Sequence, residues 1–372
     1  MRPAVRTICF MAGMTTLAAC RQARPALPEP LAVREWAVPW ENAFPSDMAL
    51  DDEGRVWFTD RLTHVIGRFD VETEEFVSIP TPTGGSAPYG MVRGPDGGIW
   101  FAESQQGKLG RVDPESGRIE EYVVSGGREG GPHLVAASGG SIWFTMREAR
   151  SYGALDIATS EVRLWRTPPA TYGRAVPDSL LDRYRPEPYG IAAGPDGKVW
   201  IGVMGGWLLY EVDAKSGIMR EHDLSVPPAD SLLDRYAAGR SADERARMAV
   251  AMRSRGVARR LAIDARHGVW LSDFGRSRVV RYDSRNGTQE SFESLQQPSE
   301  PYGIAVSQAG FVWYGEKRND RLVGLDPATG ARVHAGVTPG ATIRHVLIDD
   351  TRGRIWLPLS DRGRIGLIEL TR

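Results

Sequence analysis

PYGMVRGPDGGIWFAESQQGKLGRVDPESGRIEEYVV, residues 88–124, reads as four short strands parted by turns. Gly94-Pro95-Asp96-Gly97 and Asp113-Pro114-Glu115-Ser116-Gly117 are turn clusters, and the runs between them are apolar or alternate with period two. The spacing predicts strands near 89–93, 98–102, 108–113 and 118–124. Trp100 of this unit recurs as Trp57, Trp143, Trp200, Trp270, Trp313 and Trp356, at intervals of 43, 43, 57, 70, 43 and 43 residues. A four-stranded unit repeating every ~40–50 residues is a propeller blade. The chain therefore reads as all-β, a seven-bladed β-propeller.

The C-terminal RGRIGLIELTR is the third strand of the seventh unit, and no fourth strand follows it. Val33 to Val38 carry the outer-strand pattern, so an N-terminal strand is expected to pair with the last blade and close the ring, hiding both edges. Residues 31–372 then form one propeller, with insertions at about 167–187 and 227–258. Both insertions fall between an outer strand and the next innermost strand, so both are expected on one face. Each contains Asp-Ser-Leu-Leu-Asp-Arg-Tyr, at 178–184 and 230–236, and the second is rich in arginine, which reads either as a solvated helix with its basic residues outward or as a cationic lid over the funnel.

Residues 1–19 carry Arg2 and Arg6 ahead of a short apolar stretch, the pattern of a secretory signal. Leu17-Ala18-Ala19-Cys20 resembles a lipobox, which makes Cys20 the expected lipidation site and residues 20–30 a proline-rich tether. The expectation is an exported, periplasmic lipoprotein anchored at the outer membrane, touching the membrane only through its lipid. Only Cys9 and Cys20 occur, so the folded body has no disulfide or thiolate metal site. A formal net charge of -1 gives no global basic field, so nucleic acid is not an expected partner. A monomer with a small-molecule or peptide ligand in its central funnel is the expected form.

Treating each innermost hairpin as unbroken sets Tyr89 opposite Glu103 and Tyr302 opposite Glu316. The same alignment places Ser46, Tyr89, His133, Tyr189, Arg259, Tyr302 and His345 in one ring at the insert-bearing mouth. Tyr89, Tyr189, Arg259 and Glu103 are candidate ligand-binding residues, while His133 and His345 are candidate bases. The competing reading is that tyrosines and acids recur to satisfy loop backbone, that each histidine is a hydrogen-bonded structural residue, and that Arg259 pairs with Asp273. His64, His222, His267 and His334 are read as surface residues.

The phrases PYGMVRGPDGGIWFAESQQGKLGRVDP, PYGIAAGPDGKVWI and PYGIAVSQAGFVWYGEKRNDRLVGLDP resemble the streptogramin B lyase (virginiamycin B lyase) family over nearly all the chain from residue 31 except the insertions. The resemblance implies a propeller with Mg²⁺ in its funnel, which linearises cyclic depsipeptides by elimination across an ester. In that family a His removes the proton and carboxylates hold the metal, within a Glu-Pro-His-Gly phrase and a Glu shortly after the repeat Trp. Glu300-Pro301-Tyr302-Gly303 and Glu316 match it, which implies Glu300 and Glu316 as metal ligands. Tyr302 stands at the family's His position, with His345 in the next blade or His133 as the remaining base. Two functions stay open. One is a Mg-assisted carbon–oxygen lyase on a cyclic or esterified small molecule; the other is a non-catalytic, lipid-anchored propeller binding a peptide, glycan or protein.

Overall fold

The computed structural model describes residues 31–126, 130–168, 186–204, 207–224, 239–241, 244 and 258–370. The expected signal, Cys20, the tether and most of both insertions, with the repeated heptapeptide, lie outside the described residues. The described chain forms seven four-stranded antiparallel sheets, as the repeat predicts. The second blade, β6 (Pro88–Arg93), β7 (Ile99–Glu103), β8 (Lys108–Val112) and β9 (Ile119–Val123), matches the strands read from sequence to within about a residue. The innermost strands are β2 (Pro45–Leu50), β6, β10 (Val135–Ser138), β14 (Glu187–Ala193), β18 (Ala258–Ile263), β22 (Pro301–Val306) and β26 (Leu347–Asp349). Each packs beside the next around an axis, and β2 lies against β27 (Arg354–Leu359) to complete the circle. β1 (Arg34–Ala37) pairs with β28 (Arg364–Glu369), so the N-terminal segment supplies the outer strand of the last blade.

The repeat tryptophans are sandwiched between neighbouring blades and are 0–2% exposed. Their size fills the space where two sheets meet, and the turn ahead of them explains their neighbours. The indole N–H groups of Trp57, Trp100 and Trp270 donate to Asp51, Asp96 and Asp264 at 2.8–3.0 Å. The same carboxylates accept from Arg55, Arg111 and Arg281, so one turn acid satisfies a buried indole and a strand guanidinium together. Glycine in the Pro-Tyr-Gly phrase has a steric cause. A Cβ on Gly90 would stand 2.6 Å from Leu134 Cα and 2.8 Å from the His133 carbonyl oxygen, and one on Gly303 would meet the His345 backbone at 2.9 Å. These glycines let adjacent innermost strands touch backbone to backbone, and Gly90 N–H donates to the His133 carbonyl at 2.9 Å.

Candidate functional site

Five innermost hairpins are bulged at the funnel mouth. Pro45 pairs with Asp60, Pro88 with Glu103, Pro188 with Val203, Ala258 with Asp273 and Pro301 with Glu316; two residues then oppose one before register resumes. Glu103 and Glu316 therefore face prolines, which corrects the expected Tyr89–Glu103 and Tyr302–Glu316 pairs. In the seventh blade Ile343 bridges Leu359 while Leu347 pairs with Trp356, so Arg344 holds the position of Tyr302 and His345 sits one step deeper. The unbroken-hairpin alignment misplaced His345 by one residue.

The bulge brings two consecutive residues per blade toward the axis, giving two stacked rings. The outer ring is Ser46, Tyr89, His133, Tyr189, Arg259, Tyr302 and Arg344; the inner ring is Asp47, Gly90, Leu134, Gly190, Arg260, Gly303 and His345. Where the inner ring has a side chain in blades one, three and five, the bulge N–H is met by a hydroxyl two residues after the Trp. Asp47 N–H donates to Thr59 Oγ1 at 3.1 Å, Leu134 N–H to Thr145 Oγ1 at 3.3 Å, and Arg260 N–H to Ser272 Oγ at 3.1 Å. Thr59 and Thr145 pass the bond on to the Tyr89 and Tyr189 carbonyls of the next blade.

The outer ring collapses onto the axis. Tyr302 Oη lies 2.6 Å from Tyr189 Oη and 3.2 Å from Tyr89 Oη, and Arg344 reaches it at 3.5 Å. His133 stacks on Tyr89, with ring centroids 4.3 Å apart, and tilts against Tyr189 at 4.7 Å. Burial, with Arg260, Arg147, Arg61 and Arg259 nearby, pushes His133 well below its ordinary range and keeps it neutral. The Arg259 guanidinium carbon lies 4.8–5.5 Å from the centroids of Phe274, Tyr189 and Tyr302. It pairs with no carboxylate among the described residues, and Asp273 instead takes Arg278 at 2.9 Å, which overturns the expected Arg259–Asp273 pair. Arg61 lies over Tyr89 at 5.6 Å, likewise without a carboxylate among the described residues.

Beneath this layer Asp47 is the hub of the inner ring. Its Oδ2 accepts from Arg260 Nη1 and Met91 N–H, both at 3.1 Å, so a buried ion pair spans from the fifth blade to the first. Oδ1 has no hydrogen-bond donor, although His345 Nδ1 stands 3.1 Å away. Met48 N–H donates to Nδ1 at 3.3 Å. A neutral ring whose Nδ1 accepts carries its proton on Nε2. Burial and Arg260 outweigh Asp47 and bring His345 below its ordinary range, so its imidazole is neutral. The His345 side chain keeps 22% exposure.

The acids after each Trp serve the loops instead. Asp60 accepts from the Trp40 indole and the Phe44 and Thr63 backbone N–H groups. Glu316 Oε2 accepts from Arg321 at 2.7 Å and Asn319 at 2.8 Å, while Glu300 bonds Arg318 at 2.8 Å from a left-handed backbone (φ 52°). Both candidate metal ligands are thus engaged by guanidinium groups, and no three His, Cys, Asp or Glu side chains cluster as a cation site among the described residues. The donor set does not fit Mg²⁺. Of the other histidines, His222 is buried, contrary to expectation: its ring bonds Glu211 at 2.7 Å and Tyr282 at 2.8 Å.

Glu103 is fully buried, and neither carboxyl oxygen has a hydrogen-bond donor. Burial, then repulsion from Glu121, partly offset by Lys108, pushes it up to about 8. Its electrostatic neighbours are on outer strands β8 and β9, so it belongs to the blade and not to the funnel. The folded state holds this proton up to about pH 8, whereas an unfolded Glu releases it near ~4.3. Stability from this group therefore falls as pH rises through that window and is level beyond it. Glu103→Gln is expected to raise stability at pH 8–9 by about 1–3 kcal/mol and to match the parent near pH 4, read from melting curves across pH.

Residues 27–208 match the virginiamycin B lyase family. No curated protein matches the chain in sequence. Among solved structures, selenomethionine-substituted virginiamycin B lyase from Staphylococcus aureus superposes with a TM-score of 0.73 at 17% identity, covering 91% of this chain and 99% of that one. A catalytically inactive variant of that enzyme with quinupristin gives 0.71 at 18%, covering 91% and 99%. The extracellular domain of a hybrid two component system protein from B. thetaiotaomicron gives 0.65 at 14%, covering 91% of this chain and 39% of that one. At these identities the superpositions show the shared fold alone.

Proposed function

From a chain that carries the virginiamycin B lyase family's sequence pattern over residues 27–208, we propose that the axial funnel binds an anionic small molecule. The observation that carries this is Arg259, held over three aromatic rings with no carboxylate beside it among the described residues. Among the same residues Arg61 has none either, Arg344 has only Asp361 at 3.6 Å, and Arg260 is matched by Asp47. Among the described residues, Arg259, Arg260 and Arg344 thus share two carboxylates at a part-buried site, with the exposed Arg61 at its edge, and an incoming acid group gains more there than it would in water. The tyrosine rings below supply an apolar floor with hydroxyl groups for orientation. The arrangement suits a small carboxylate or a ligand bearing one. In this reading the expected lipid anchor at Cys20 tethers the body to a membrane, and the ligand comes from the surrounding solution.

Citrate, glucuronate and neutral glucose titrated by calorimetry test the proposal. Binding of an acid, absent for glucose and at least tenfold weaker in Arg259→Gln, is the expected result. Equal heats for acids and glucose, or an unaffected variant, would exclude it.

A second reading is favoured by His345, a neutral and partly exposed imidazole beside Asp47. His345 would take the proton from the carbon adjacent to the one bearing the ester oxygen; that C–H electron pair would form a C=C bond as the C–O bond on the alcohol side of the ester breaks, and the leaving carboxylate would depart toward Arg259 and Arg344. No metal enters these steps. Macrocyclic depsipeptides and lactones incubated with the protein should yield an unsaturated open-chain product by mass spectrometry, lost in His345→Gln. Product formation that survives this variant would exclude His345 as the base.

A further inference from the structure

The tyrosine hydroxyls meet on the axis and close it from the funnel side, and Tyr89, Tyr189 and Tyr302 are only 2–4% exposed. One ring deeper, His345 nevertheless keeps 22% of its side chain exposed and Arg260 keeps 9%. With the tyrosines closed above, that exposure opens toward the other end of the axis. The strand pairings show what lies there. Opposite the repeat tryptophans stand Ala49, Ala136, Ala192, Ala262 and Ala305, with Val92 and Leu347 in the two remaining blades. Ala192, Ala262 and Ala305 are half-buried although a blade packs on either side of each, and Ile263, Val306 and Ile348, at the next step along the strands, are half-buried too. Methyl groups at this level leave an apolar bore along the axis. From the level of Asp47 and Arg260 to that of Leu50 and Ile263 is three residues of strand, about 10 Å.

At the head of the bore Arg260 is incompletely matched. Nη1 bonds Asp47, while Nε and Nη2, on the other edge of the same guanidinium, are buried with no acceptor. A buried donor left without an acceptor is costly, and a parallel pair of such donors fits the two oxygens of a carboxylate. His345 adds Nε2–H at the same level, and Arg259 and Arg344 stand one ring above. We propose that this bore is a second ligand site, entered from the face opposite the tyrosines, which takes a short-chain alkanoate with its tail among the alanines and its carboxylate on the Nε–Nη2 edge of Arg260. The guanidinium turns about its bond to Asp47 to present that edge. The narrow apolar wall selects an unbranched chain of a few methylenes, and the cationic head selects an acid over an alcohol. The site shares no ligand-binding side chain with the funnel above Arg259 and does not depend on the anion-binding reading of that funnel.

Calorimetry of the full-length protein with acetate, butyrate, hexanoate and hexanol tests this. Affinity is expected to rise about two- to fourfold per added methylene, and hexanol to bind about tenfold or more weakly than hexanoate. Arg260→Lys keeps a cation for Asp47 and removes the fork, whereas Ala305→Leu fills the bore and leaves every charge in place. Each is expected to weaken hexanoate by about tenfold or more, and Arg259→Gln to leave it unchanged. Near-ultraviolet circular dichroism verifies that the three variants are folded. No heat with hexanoate, or one affinity for all three acids, overturns the site. So does hexanoate binding that is lost in Arg259→Gln and kept in Arg260→Lys and Ala305→Leu, which places the acid in the funnel. Citrate reads the funnel separately: hexanoate binding without citrate binding removes the funnel reading and leaves the bore, and the reverse removes the bore alone.

Discussion

Arg260→Met is expected to destabilise the fold by about 3–5 kcal/mol, a loss visible as a large drop in melting temperature or denaturant midpoint. Arg260 is buried, and among the described residues its guanidinium is the only one bonded to Asp47. Removing it leaves an ionised carboxylate in the centre of the propeller with one backbone N–H and a neutral imidazole for company. Taking an unpaired charge out of water is what makes broken buried pairs so expensive, whereas replacing both members is often close to neutral. Asp47→Leu combined with Arg260→Met should therefore recover much of the loss. A single variant as stable as the parent would mean that Asp47 is solvated through the funnel, and that the axis is wetter than its packing indicates.

Gly90→Ala is expected to cost about 3 kcal/mol, at the upper end of what one added methyl does in a packed interior. The obstacle is backbone: Leu134 Cα, the His133 carbonyl and Val135 N all stand within 2.9 Å of the new carbon, so no side chain is available to rotate away. Relief requires the third blade to slide outward, which breaks the 2.9 Å bond from Gly90 N–H to the His133 carbonyl and loosens the His133–Tyr89 stack. Gly197→Ala is a control of the opposite kind, since nothing lies within 4 Å of its Cβ and only its left-handed backbone (φ 75°) resists the change. It should cost about 1 kcal/mol. Equal melting points for the two variants would refute the argument from close strand approach.

The blades were legible because the tryptophan period and the turn clusters are local signals, and the ring closure followed from a missing fourth strand. Tyr89, Tyr189, Arg259 and Tyr302 were placed on the axis because each lies in the first three residues of an innermost strand, and His133 because it stands two residues ahead of one. What sequence arithmetic lost was the bulge. A sum rule over an unbroken hairpin assigned Glu103 and Glu316 to the tyrosines and put His345 where Arg344 stands. Asp47 and Arg260 were missed for the same reason, although a signal was present. Gly90, Gly190 and Gly303 follow their tyrosines with Ala102, Gly202 and Gly315 two residues after the Trp, whereas Asp47 and Arg260 occur with Thr59 and Ser272. A hydroxyl at that position marks a blade whose bulge carries a side chain into the centre. The funnel's cationic excess was hidden by a formal net charge of -1, because whole-chain charge says nothing about how guanidinium groups converge.

The β1–β28 pairing has a consequence for how this molecule comes apart. In an open solenoid the end repeats have one neighbour each, and unfolding frays from them unit by unit. Here the first described strand completes the last blade, so every blade has two neighbours and none is an end. Opening any blade forfeits two interfaces at once, which turns an otherwise additive array into a single cooperative unit.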